Sequence, residues 1–159
     1  MKKREDFLNL SRNSSPPIEV RLNRGSSLES IHKVHAVVCD SKGRVLIGAG
    51  NTEYETFIRS ALKPFQAMPF VSSGTSEKID CSDKGIAVAC GSHSGSTLHA
   101  REVFKILWNS ELDVDDLQCP IPLGKQSKLE HNCSGKHAAF LATCKKLNWP
   151  TDSYLQGSH

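Results

Sequence analysis

The run Arg59-Ser60-Ala61-Leu62-Lys63-Pro64-Phe65-Gln66 sets a serine three positions ahead of a lysine and a proline directly after it. Three positions is close to one helical turn, so the spacing predicts that hydroxyl and amine share a face and touch. Proline lacks an N–H and is tolerated best in a first helical turn, which puts Ser60 at or beside a helix start. Backbone N–H groups and the positive end of the helix dipole converge there and favour a developing alkoxide. A serine nucleophile with a neutral lysine as its base is a known variant of the serine triad. The spacing alone also fits an N-capping serine followed by a solvated lysine. A free lysine titrates near ~10.4, so holding it neutral at pH 7 costs roughly 4–5 kcal/mol unless its surroundings lower that value. Burial and a neighbouring cation such as Arg59 both do so.

Bulk properties narrow the classes. The chain has 159 residues, a net charge of +3 and 6% aromatic residues. Its excess of positive charge is concentrated in Lys2, Lys3 and Arg4, and its aromatics do not alternate with basic residues, which argues against nucleic acid as a partner. No apolar stretch reaches membrane-spanning length. The basic start Met1-Lys2-Lys3-Arg4 is not followed by the apolar core of a secretory signal. These features predict a soluble, cytoplasmic protein with no membrane partner. Its six cysteines (Cys39, Cys81, Cys90, Cys119, Cys133, Cys144) are then expected as reduced thiols, and no Cys-x-x-Cys pair supports a zinc ribbon or a redox motif.

Outward from Ser60, residues 1–17 read as a flexible polar tail and residues 18–159 as one α+β unit, an antiparallel sheet flanked by helices. Ile18–Leu22 alternates as a strand. His35–Cys39 and Arg44–Ile47 read as a hairpin, with Gly43 where positive φ is needed. A helix is expected from near Ser60 to Phe70 or Val71, closed by Ser72-Ser73-Gly74-Thr75. The apolar run Gly85–Cys90 reads as a strand leading into Gly91-Ser92-His93-Ser94-Gly95-Ser96-Thr97. A helix from His99 to about Trp108 follows, capped by Ser96 or Thr97. Residues 113–128 read as a loop, and Ala138–Leu147 as a buried helix. The segment Gly91–Gly95 is no hydrolase elbow, because its glycines flank His93 rather than a serine. No Gly-Lys-Ser/Thr follows to make a phosphate loop.

Three segments taken in order carry a resemblance: Arg59-Ser60-Ala61-Leu62-Lys63-Pro64, Cys90-Gly91-Ser92-His93-Ser94-Gly95 and His131-Asn132-Cys133-Ser134-Gly135-Lys136-His137. With them the chain resembles the asparaginase II family of amidohydrolases from about Ile18 to His159. The resemblance implies a fold similar to serine β-lactamases and glutaminases. It further implies cleavage of the side-chain amide of L-asparagine to aspartate and ammonia, through an acyl-enzyme. In that resemblance Ser60 is the nucleophile, Lys63 its base, and Ser92 a second serine that relays or positions a proton. Arg59, His93, Asn132 and His137 line the substrate site, with Arg59 on the substrate carboxylate. Zinc is implied as a cofactor, held by Cys133, Lys136 and a second cysteine further along. A homodimer is compatible with it.

Each assignment has a plain counterpart. Ser92 could satisfy backbone in a tight turn, the histidines could be ordinary surface residues, and Asn132 could merely shape a loop. Cys39, Cys81, Cys119 and Cys144 are assigned to packing. Family members run to about twice this length, so the chain is expected to be an N-terminal fragment with apolar surface left exposed. The alternatives are an inactive fragment, a zinc-holding interaction module, and a glutaminase or β-lactam-recognising acyl enzyme.

Overall fold

A computed structural model describes residues 15–159. The tail expected over residues 1–17 lies mostly outside them. Of its last residues, Ser15 accepts the Gly50 N–H at its carbonyl, at 2.9 Å. The chain is α+β and divides into two units, 1–57 and Ile58–His159.

The first unit is built from two hairpins. β1 (Ile18–Arg24) pairs antiparallel with β2 (Ser27–Val34), and β3 (Ala36–Cys39) with β4 (Val45–Ala49). The single antiparallel sheet expected from the sequence is therefore two separate two-stranded ones. Each register slips by one residue near a strand end, between Leu22 and Asn23 and between Val38 and Cys39. The β3–β4 turn is the expected one: Gly43 takes φ +75°, and Asp40 Oδ1 accepts the N–H groups of Lys42 and Arg44, both at 2.9 Å. Ile18, Val20 and Leu22 share one face of β1 and remain 49%, 44% and 51% exposed. Cys39 is also exposed, contrary to the packing role expected of it, because a two-stranded ribbon has no second layer to bury its side chains.

The second unit is helical. A 3₁₀ turn (Arg59–Leu62) leads into α1 (Lys63–Gln66) and α2 (Met68–Ser72), and α3 (Thr75–Lys78) follows. The one helix expected from Ser60 to Phe70 is thus broken. Pro64 and Pro69 each open a new short segment, since neither can donate the bond that would continue the previous one. Gly74 closes the series with φ +70°.

The strand expected at Gly85–Cys90 is a helix, α4 (Asp83–Cys90). Its start is fixed by Ser82, whose hydroxyl oxygen accepts the Gly85 N–H at 3.1 Å and whose proton goes to Glu102 Oε2 at 2.8 Å. α5 (Thr97–Asn109) begins at a capping box made by Ser96 and His99, as the cap reading anticipated. A loop with two short 3₁₀ turns leads to α6 (Ser134–Leu147), which starts four residues before the helix expected at Ala138.

α4, α5 and α6 pack pairwise around a core that includes Val88, Ala89, Val103, Ile106, Leu107, Ala138, Leu141 and Ala142. Burying each Leu or Ile here contributes roughly 1.5–3 kcal/mol. The small residues of α6 let α4 approach closely: a Cβ on Gly135 would lie 2.2 Å from the Val88 carbonyl oxygen. That contact holds the N-terminus of α6 beside the loop that follows α4. Among the described residues, no helix is long and apolar enough to cross a membrane.

Candidate active site

Lys63 is the first residue of α1 and only 2% exposed. A buried amine must spend its protons on acceptors. Lys63 Nζ has three: the Gly91 carbonyl at 3.1 Å, Ser92 Oγ at 2.9 Å and the Asn132 carbonyl at 3.1 Å. The direct Ser60–Lys63 contact expected from the three-residue spacing is not formed. Lys63 turns inward to the acceptors of two other segments, while Ser60 stays exposed in the 3₁₀ turn before it. Arg59, also exposed, adopts φ +49°, a left-handed backbone that non-glycine residues seldom take. Ser92 is exposed as well. The arrangement is a buried amine bonded directly to an exposed serine, Ser92.

The loop bearing Ser92 is clamped to the segment before α6. The His93 N–H donates to the Asn132 carbonyl at 3.3 Å, His93 Nε2 lies 3.1 Å from Ser134 Oγ, and the Gly95 N–H reaches His93 Nδ1 at 3.2 Å. Gly95 has φ +66°, and a Cβ there would sit 2.1 Å from the Glu130 carbonyl oxygen. Only glycine fits both the turn and that approach. Burial, then the neighbouring His99, Lys63 and His131, push the His93 imidazole from 6.5 down to about 4.

On the other side, His131 Nδ1 accepts the Cys133 N–H at 3.1 Å. Asn132 has an exposed side chain, while its carbonyl serves Lys63 and His93. His137 is buried inside α6, and its Nδ1 lies 2.7 Å from the Tyr154 hydroxyl, which also accepts the Gln118 N–H at 2.9 Å. Burial first, then Lys136, His131 and Lys63, take His137 down to about 4. The His137 ring is therefore buried and bonded to Tyr154.

A family model described as L-asparaginase II matches residues 20–159, nearly all of both units and all three motif segments. The chain belongs to the L-asparaginase II family. Among curated proteins no relative matches it. Membership supports an asparaginase-type amidohydrolase at the level of the family, acting on a small-molecule substrate.

The zinc implied by the asparaginase II resemblance finds an incomplete donor set. Cys133 is half-buried at the start of α6, and Lys136 one turn on stands over the Phe140 ring, 5.8 Å from its centroid. Zinc takes about four donors, and these are two. Among the described residues no group of three His, Cys, Asp or Glu side chains could hold a metal ion.

Motif reading missed the carbonyls of Gly91 and Asn132, Ser134 and Tyr154. Main-chain acceptors leave no mark in sequence. Ser134 lies inside a recognised motif, but its burial and its bond to His93 follow only from how α6 docks on α4.

One consequence is a pH dependence. Folded His93 and His137 stay neutral down to about pH 4, whereas unfolded histidine protonates near 6.5. Between these values the unfolded chain binds more protons, so stability rises with pH across the window. It should be complete above about pH 6.5 and decline as pH falls towards 4. Urea midpoints measured across this range check it; a flat midpoint from about pH 7 to 4.5 would contradict the two buried imidazoles.

Proposed function

We propose that the helical unit hydrolyses the side-chain amide of L-asparagine, releasing ammonia, through an acyl-enzyme on Ser60. The observation that carries the reading is the 2.9 Å contact between Lys63 Nζ and Ser92 Oγ. The step requires a neutral amine, in which two N–H bonds still serve the carbonyls of Gly91 and Asn132 and a lone pair replaces the third N–H towards the Ser92 oxygen. Ser92 passes its proton to Lys63 and takes the proton of Ser60 as the Ser60 oxygen attacks the amide carbon. Lys63 returns a proton, through Ser92, to the departing nitrogen, the C–N bond breaks, and ammonia leaves. Water then attacks the ester by the same route and releases the carboxylate. Arg59, exposed and adjacent in sequence to Ser60, would pair with a substrate carboxylate, and the exposed Asn132 amide would hold its polar groups.

A second reading makes Ser92 the nucleophile, because it already touches the base. Exposure to an activated ester of the aspartate side chain, an acid quench and peptide mapping separate the two. Acyl mass on the peptide holding Ser60 supports the relay, mass on the peptide holding Ser92 supports direct attack, and no acylation of either serine rejects both. Asparagine, glutamine and a penicillin assayed side by side test the substrate class.

A further inference from the structure

We propose that His93 is the positioning residue of the Ser92–Lys63 pair, working as a neutral imidazole with its proton on Nε2. This rests on the reading of Lys63 and Ser92 just given.

The hydrogen-bond chain leaves each proton one place. The Gly95 N–H can only donate, so the His93 Nδ1 that faces it at 3.2 Å must present a lone pair. The ring proton therefore sits on Nε2 and points to Ser134 Oγ, 3.1 Å away. Ser134 is fully buried, and its hydroxyl lies 2.7 Å from the Leu129 carbonyl, which can only accept. The Ser134 proton goes there, and its oxygen is free to receive Nε2–H. An imidazolium would set an N–H at Nδ1 against the N–H of Gly95, donor against donor.

The backbone of the same residue closes the loop. The His93 N–H and Lys63 Nζ share one acceptor, the Asn132 carbonyl, at 3.3 and 3.1 Å. His93 directly follows Ser92, and Ser134 lies two residues past Asn132. One side chain thus fastens both segments that supply acceptors to Lys63, its ring hydrogen-bonded to Ser134 and Gly95. The titratable groups around it are His99, whose ring centre is 4.9 Å away, with Lys63 and His131. None is an anion that would favour a charged ring, and burial adds to the same effect.

The test begins on the unaltered full chain. Long-range proton–nitrogen spectra of labelled histidines should show His93 with Nε2 protonated and Nδ1 bare, unchanged from about pH 8 to 5.5. A proton on Nδ1 in that range, whether as the other tautomer or as imidazolium, overturns the proposal. Variants supply the second readout, the rate at which acetic anhydride modifies Lys63, followed by mass spectrometry. His93→Ala should raise that rate about tenfold or more and lower kcat by a similar factor with little change in KM, while His93→Gln, which keeps a donor for Ser134, restores both. Equal behaviour of the two variants, or neither differing from the parent, overturns it. Failure here with Lys63 and Ser92 variants inactive leaves the proposed chemistry standing. Full activity without Lys63 and Ser92 removes that chemistry, whatever the His93 spectra show.

Discussion

Lys63→Met is expected to lower amide hydrolysis by about 10³-fold, the range lost when a positioned general base is removed. Methionine fills much of the same buried space, so the effect is on chemistry before shape. Ser92 would then face a thioether that cannot take its proton. Ser92→Ala should fall nearly as far, and the double variant no further, because the two groups move one proton between them. The Gly91 carbonyl would also lose its Lys63 donor, a penalty of roughly 1–3 kcal/mol if it stays buried, whereas the Asn132 carbonyl keeps the His93 N–H. Ammonia release in a coupled assay reads the first effect and urea unfolding the second. A Lys63→Met protein within about tenfold of the parent would remove lysine from the mechanism.

Gly135→Ala should destabilise the helical unit, against the usual benefit of alanine in a helix. That benefit is about 0.5–1 kcal/mol. Here the new methyl would lie 2.2 Å from the Val88 carbonyl oxygen and 2.6 Å from its carbon, both main-chain atoms of α4. No side chain can swing away, so the two helices must separate. Overpacking of this kind costs typically 1–3 kcal/mol, and a backbone clash lies at the upper end. The net expectation is a loss of about 2 kcal/mol, read as a lower urea midpoint with an unchanged slope. Activity should fall as well, because Asn132 and Ser134 travel with the start of α6. A gain in stability would mean that α4 and α6 are less tightly apposed than described.

The parts of the fold legible in the sequence were those with local signals. Ser96 marked the start of α5, Gly43 and Asp40 the β3–β4 turn, and the apolar run of α6 its burial. α4 was misread because six small and apolar residues fit a buried strand as well as a helix; the deciding signal was Ser82, three residues earlier. β2 escaped because Leu28, Ile31 and Val34 stand three apart and do not alternate, and the register slip after Leu22 lies opposite their start. At the site, Pro64 marked the helix start, with Ser60 in the 3₁₀ turn just ahead of α1 and Lys63 its first residue, while the helical spacing of the two did not bring them into contact. It could not show that Lys63 reaches across to residues 28, 29 and 69 positions later. Which acceptors an amine finds is settled by how segments dock, and that is a tertiary fact.

The same three long-range bonds bear on how the molecule comes together. Bringing sequence-distant partners to one atom requires large loops to close first, so this corner of the chain matures late in folding. No short peptide around Ser60 can hold the geometry on its own. A small molecule that prefers the assembled arrangement would raise the melting temperature of the whole helical unit, because recognition and global folding draw on one equilibrium.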